Sequence, residues 1–286
     1  MMSEEQSTSG YGSTRPVTAG IDGSDYSLAA ADWAAGEAHR RAVPLRLLAV
    51  IGPGPGSGEL AEALDFSTTI EERLRVSHPG LPVGRDVLAG NPAQELLAAA
   101  RDSVLVVTGS RGRGGVAGLP LGSVSMHLAA DGSCPLVILP KGHSAAAHSG
   151  PTVVGVNTHH CVKALRFGFE HARRAGTALR VVHAWTPYPA HSSDQFVSDT
   201  DIVARQARTE AASWVKAARP EEFELRPEIE ILRGRAGEVL AEQSRSAGLV
   251  VVTSRRHRFP GQPGISRVVH DLVAAAHSPI ALVPKS

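Results

Sequence analysis

Short apolar runs alternate along the whole chain with longer stretches in which apolar residues recur at helical spacing. In the first half, residues 17–22, 45–51, 83–88, 104–109 and 136–139 are rich in Val, Ile and Leu with little polar interruption, and they read as strands. A strand apolar on both sides is one covered on both sides, as in a parallel sheet packed between helices. Residues 27–41 are Ala-rich, with Leu28, Ala31, Ala35 and Ala38 on one helical face. Residues 92–101 open with Pro92, which suits a first helical position because no amide hydrogen is needed there. Strand and helix in alternation predict βαβ units.

The pattern then repeats. Ala19-Gly20-Ile21-Asp22 returns as Val154-Gly155-Val156-Asn157, and Leu45-Arg46-Leu47-Leu48 as Leu179-Arg180-Val181-Val182. Val106-Val107-Thr108 returns as Val251-Val252-Thr253, and the run from Cys134 to Pro140 as that from Ser278 to Pro284. This is a duplicated domain rather than a short solenoid repeat. The second copy should carry strands at 152–156, 179–184, 228–232, 249–253 and 279–283, with a long helix at 199–218. The reading divides the chain into a disordered tail (1–14), a first domain (15–141), a small polar linker (142–151) and a second domain (152–286). The fold class is α/β: two tandem five-stranded parallel-sheet domains, Rossmann-like, with helices on both faces.

Composition narrows the function. With 286 residues, 42% of them hydrophobic, the chain has enough apolar surface for two cores. A formal net charge of +1 removes the diffuse electrostatic case for a nucleic-acid or membrane-surface partner, so any anion site must be local. Cys134 and Cys161 are too few for a disulfide framework or a four-ligand zinc site. The polar amino terminus and the lack of a long apolar run make a cytoplasmic location the expectation.

The richest segment runs from Val106 to Ser125. Its glycines 109, 112 and 122 follow a buried strand directly and lack a Cβ where the chain must take positive φ or approach a ligand. Gly122-Ser123 opens a helix whose amino-terminal N–H groups form an anion site, with Ser123 able to cap the helix or donate to a phosphate. Arg111 and Arg113 add local positive charge. Ligands of open parallel sheets sit beyond the carboxyl ends of strands where strand order reverses, here between the first and fourth strands.

On these residues the chain resembles the ATP-binding universal stress proteins, of the nucleotide alpha-hydrolase superfamily. Gly109-x2-Gly112-x9-Gly122-Ser123 matches their nucleotide signature, and Gly20-Ile21-Asp22-Gly23-Ser24 matches their first strand and turn. The tandem arrangement is similar to that of actinobacterial members. The resemblance implies ATP, with or without Mg2+, as the ligand. Asp22 and the Val50 backbone would hold the adenine, and Gly109 would lie near the ribose. Gly112, Gly122, Ser123 and Val124 would surround the phosphates. It also implies pairing through the last strands, as a homodimer or within one chain.

The second copy departs from this pattern. Ser254, His257 and Ser266 stand where the three glycines stand, and Asn157 replaces Asp22. The expectation is weak ATP binding or none there, although Arg255, Arg256 and Arg258 could attract an anion. Three other motifs carry less. Gly52-Pro53-Gly54-Pro55-Gly56-Ser57-Gly58 lacks the third glycine of a dinucleotide fingerprint and reads as a loop, and no P-loop sequence is present. His159-His160-Cys161 lacks a spaced third ligand for a metal. Trp33, Trp185 and Trp214 read as core or docking residues. The sequence identifies no catalytic nucleophile and no Ser, His and Asp set. An ATP-binding regulatory role stands first. A slow ATPase or nucleotide-transferring enzyme is the alternative, though the Ser-Gly-Gly-x-Asp-Ser loop of adenylating relatives is absent. A dimerisation scaffold with incidental nucleotide is the third reading.

Overall fold

The computed structural model describes residues 14–113, 121–140, 142, 150–186, 196–221, 223–254, 257–259 and 262–285. The tail to residue 13, residue 141 at the end of the first domain and linker residues 143–149 lie outside these. The first half runs β1 (Val17–Ile21), α1 (Asp25–Arg41), β2 (Leu45–Ile51), α2 (Ser57–Ser77), β3 (Val83–Ala89), α3 (Pro92–Ala99), β4 (Leu105–Gly109), α4 (Ser123–Asp131) and β5 (Leu136–Leu139). The second begins with β6 (Thr152–Gly155), a 3-10 turn at His159–Cys161, α5 (Val162–Ala175), β7 (Leu179–Trp185), α6 (Phe196–Ala218) and β8 (Glu228–Arg233). It continues with α7 (Ala236–Gln243), β9 (Leu249–Ser254), short strands β10 (His257–Phe259) and β11 (Gln262–Gly264), α8 (Arg267–Ala275) and β12 (Ile280–Pro284).

All ten expected strands are present, with ends within one residue of the expectation. Two features differ from it. Helix α2 begins at Ser57, inside the segment read wholly as a loop, because Gly56 takes the extended cap conformation and α2 then runs as far as Ser77. The β10–β11 pair is antiparallel, with His257 opposite Gly264, where the sequence pointed only to a degenerate loop.

Within each half the strands order as 3-2-1-4-5, and the halves join into one ten-stranded sheet, β3-β2-β1-β4-β5-β12-β9-β6-β7-β8. The joint is the antiparallel pair β5–β12, with Ala281 opposite Val137; every other contact in this sheet is parallel. Pairing through the last strands thus occurs within the chain. Both of those edges are consumed, so strand pairing with a second copy would have to use β3 or β8.

The apolar layers also cross the seam. One face of the sheet packs against α1, α2, α5 and α6, and the other against α3, α4, α7 and α8. Leu45, Leu47, Leu105 and Phe169 are among the fully buried side chains, each contributing about 1.5–3 kcal/mol over exposure. Trp33 and Trp214 join this core, as expected. Cys134 and Cys161 are buried and unpaired, and burial pushes both thiols up to about 11, which keeps them protonated and unreactive at neutral pH.

Where α1 meets α5, a buried ionic cluster joins the halves. Glu37 is fully buried and accepts from Arg41 Nε at 2.6 Å and Arg40 Nε at 3.0 Å. His171 of α5 lies 3.8 Å from the same carboxylate, stacks on Trp33 with a 6.3 Å centroid separation, and shares a 2.9 Å hydrogen bond with the Thr152 hydroxyl. Arg41 lies over the Phe167 ring at 5.2 Å. Burial drives the His171 pKa from 6.5 down to about 4, with Glu37 opposing that shift and Arg40, Arg41 and Arg174 adding to it. The unfolded chain therefore binds this proton more readily, and folding stability rises with pH across that window. Stability is expected to fall as pH drops from about 6.5 to about 4. Thermal midpoints measured through that range, beside those of His171→Asn, check it. An equal slope in the variant would remove His171 as the cause.

Candidate functional site

Strands β1 and β4 pair only as far as Ala19 and Val107. Beyond that register each turns to its outer neighbour: Ile21 pairs with Ala49 of β2, and Gly109 with Leu139 of β5. The parting opens a crevice at the point where strand order reverses. Gly20, Val50 and Val124 face its α3/α4 side. A Cβ on Gly20 would press Leu96 Cδ1 at 3.1 Å, and Val50 and Val124 pack on the same layer. Ile21 differs from these three, since its side chain is buried in the opposite layer and only its main chain can serve the crevice.

Asp22 follows β1 directly and organises the mouth. Its Oδ1 accepts from Ser24 N at 3.0 Å and Ser24 Oγ at 2.5 Å, and its Oδ2 accepts from Arg113 N at 2.8 Å. Ser24 in turn caps α1 by accepting from Ser27 N at 3.3 Å. Between them Gly23 takes φ +78°, which a glycine adopts without strain. The carboxylate therefore ties the loop after β4 to the turn after β1. Arg113 extends the tie through a 2.6 Å salt bridge to Glu62 of α2. A carboxylate offers about four acceptor positions, so these three bonds leave one for a ligand donor.

The three loop glycines do three different things. None takes positive φ. A Cβ on Gly109 would stand 2.6 Å from Tyr26 Cβ, and one on Gly112 would strike Asp22 Oδ2. At both positions the protein's own atoms leave no room for a Cβ, a reason the sequence did not point to; the positive φ that it offered as one reading does not occur there. Gly122 is the uncrowded one: among the described residues the nearest atoms to an added Cβ are at 3.7 Å, an ordinary contact.

Gly122 is also the N-cap of α4, in extended conformation and with no side-chain cap. Ser123 is thus the first helical residue, exposed, and does not cap the helix as one reading had it. Ser125 staples the helix to the strand, donating to Gly109 O at 2.9 Å and pairing with the Thr108 hydroxyl at 3.2 Å. Arg111 lies on the same loop, between Gly109 and Gly112. The structure so brings Gly20, Asp22, Val50, Gly109, Arg111, Gly112, Gly122, Ser123 and Val124 to one mouth, leaving residues 114–120 outside the described part.

The second half handles its matching helix differently. The α8 N-cap is Ser266, whose hydroxyl accepts from Val269 N at 3.3 Å. By strand register Thr253, not Ser254, stands in the place of Gly109, which corrects the sequence alignment by one residue; Ser254, in the place of Ser110, donates to Ala129 O of α4 at 2.7 Å, and β11 lies against α4. The second half's loop region thus leans on the first half's helix, a contact with no signal in the sequence. Arg255 and Arg256 lie outside the described residues. No group of three or more metal-ligating side chains occurs among the described residues, and no described helix is long and apolar enough to cross a membrane.

Comparison with known proteins agrees with the duplication. The family model described as the Universal stress protein family matches twice, at residues 13–140 and 150–284. A universal stress protein of Mycolicibacterium smegmatis is 37% identical, covering 97% of this chain and 98% of its own. Universal stress protein Rv2623 of Mycobacterium tuberculosis is 32% identical, covering 94% and 96% respectively. The crystal structure of a universal stress protein from Archaeoglobus fulgidus shares the fold, with TM-score 0.69 and 16% identity over 96% of this chain and 99% of that one. With both copies matched and relatives aligned nearly end to end, the chain belongs to the universal stress protein family in its tandem form.

Proposed function

We propose that the first half binds an adenine nucleotide, ATP with or without Mg2+, and that the protein acts as a nucleotide-responsive regulator of the stress response rather than as an enzyme. The observation that carries this reading is the parted β1–β4 end lying beside a helix, α4, whose N-cap is a glycine where an added Cβ would make only ordinary contacts, none nearer than 3.7 Å among the described residues. An uncapped helix start is a natural place for phosphate, since its N–H groups and positive dipole end are turned outward. Residues of the right kind surround it. Asp22 keeps one acceptor position for a donor on the base, Val50 and Val124 give the base an apolar surface, and Ser123, Gly112 and Arg111 stand on the phosphate side. Cells are mostly reducing and ATP-rich inside, and a cytoplasmic location is part of this proposal.

The test is ligand-dependent stabilisation. Millimolar Mg-ATP should raise the melting midpoint of the full chain, because a ligand bound only by the folded form stabilises it by an amount that grows with the logarithm of its concentration relative to its Kd. Gly122→Asp should abolish that rise. Aspartate is a better N-cap than glycine by a few tenths of a kcal/mol, so the free variant should melt at or slightly above the parent temperature while its carboxylate occupies and repels the phosphate position. No rise in the parent protein, or an unchanged rise in the variant, would defeat the proposal.

A further inference from the structure

Helix α4 is held by hydrogen bonds near its start, at its third residue and at its end, and one of the holds comes from the other half of the chain. At the start Gly122 N donates to Ser110 O at 2.8 Å, and Ser125, the third residue, donates to Gly109 O at 2.9 Å. The last carbonyls of a helix have no partner inside it and must find one beyond it. Leu128 O accepts from Gly132 N at 2.9 Å, and Ala129 O accepts from Ser254 Oγ at 2.7 Å in a buried bond. Ser254 ends β9, with its Cα opposite Pro284 of β12, and β12 pairs in turn with β5 of the first half. Strand β11 lies against α4 as well, and Leu128 and Ala129 are buried in the apolar layer that α4 shares with α8. A hydrogen bond so enclosed is electrostatically stronger than one in water.

This contact bears on the opposite end of the helix. Ala129 stands six residues beyond Ser123, about 9 Å along the axis at a rise of roughly 1.5 Å per residue. The start of α4 carries no side-chain cap, and its amides are the groups that a phosphate would meet. With the Ser125 bond as pivot, release of Ala129 lets the helix swing, and the first-turn amides move with it. A ligand must then order a helix that the intact protein already holds in place, and the cost of that ordering is subtracted from its affinity.

We propose that the second half completes the nucleotide site of the first: Ser254 is a positioning residue that, together with β11, holds α4 with its first-turn amides in place for phosphate. This rests on the nucleotide reading above and names a regulation of that same site. Linkage makes the relation mutual. Where seating of β9 and β11 on α4 strengthens nucleotide binding, nucleotide tightens that seating by the same factor. The second copy then has a task that needs no ligand of its own. It sets the affinity of the other half and registers its occupancy at the β10–β11 pair.

Calorimetric titration of the full chain with Mg-ATP tests this. Ser254→Ala should weaken binding about two- to tenfold, the range for one hydrogen bond lost, and Ser254→Thr, which keeps the hydroxyl, should restore most of it. Ile229→Ala, at a partly buried position on the far edge strand β8, should lower the melting midpoint and leave the affinity unchanged. In the parent protein Mg-ATP should also slow amide exchange in β11 relative to β8. The proposal is overturned if Ser254→Ala binds as tightly as the parent, if Ile229→Ala loses as much affinity, or if nucleotide leaves β11 exchange unchanged. Should Ser254→Ala not fold, the exchange in the parent decides alone. No saturable binding by the folded parent would overturn the nucleotide reading and this inference with it, whereas equal binding by parent and Ser254→Ala overturns this inference only.

Discussion

Glu37→Ala is expected to destabilise the folded chain by about 3–5 kcal/mol, the usual cost of leaving buried charge without its partner. The side chain is fully buried between α1 and α5. Burial alone would raise its pKa, yet His171, Arg41 and Arg40 together hold the carboxyl below the ordinary value of 4.5, so it is ionised at neutral pH. Removing it strands Arg41, whose Nη2 is already buried without a partner among the described residues. Glu37→Gln would keep the shape and lose the charge, and should cost less than alanine. Glu37→Met combined with Arg41→Met should recover most of the loss, since apolar replacement of a buried pair is often neutral. Denaturant midpoints of the three variants, with the slope checked for constancy, decide it. If Glu37→Ala left the midpoint unchanged, the cluster would have no part in holding the two halves together.

Much of this architecture was legible from the amino-acid pattern. Buried parallel strands need apolar side chains on both faces, which makes runs such as 45–51 and 249–253 conspicuous. Of their order, only the adjacency of the first and fourth strands was read from the sequence; the rest came from the structure. Helix α2 was harder: it starts at Ser57 and Gly58, poor helix formers next to five residues of alternating Gly and Pro, and it is held by packing of Ala63, Ile70 and Leu74 rather than by local preference. The Glu37–His171 cluster was invisible, because two charged residues far apart in the chain carry no sign of meeting. In the candidate site, the strand ends and the helix start were legible from glycine spacing. The reasons for the individual glycines were not, since Tyr26 and Asp22, which crowd Gly109 and Gly112, approach from elements distant in sequence.

That difference among glycines has a measurable consequence. Gly109→Ala is expected to destabilise the fold by about 1–3 kcal/mol, the range for forcing an extra carbon into a packed place, and to lose nucleotide binding with it. The added Cβ would stand 2.6 Å from Tyr26 Cβ and 3.0 Å from the Arg111 carbonyl oxygen, so either the start of α1 or the loop must shift. Tyr26→Gly removes the first obstacle at a cost of about 1 kcal/mol for glycine in a helix. The double variant should therefore be more stable than the sum of the two single changes implies, a coupling that a double-mutant cycle reads directly. Gly122→Asp gives the opposite profile, with stability kept and nucleotide binding lost. If Gly109→Ala melted like the parent and only binding suffered, the glycine would be there for a ligand and not for Tyr26. The crowding at α1 would then be slack that the loop takes up at little cost.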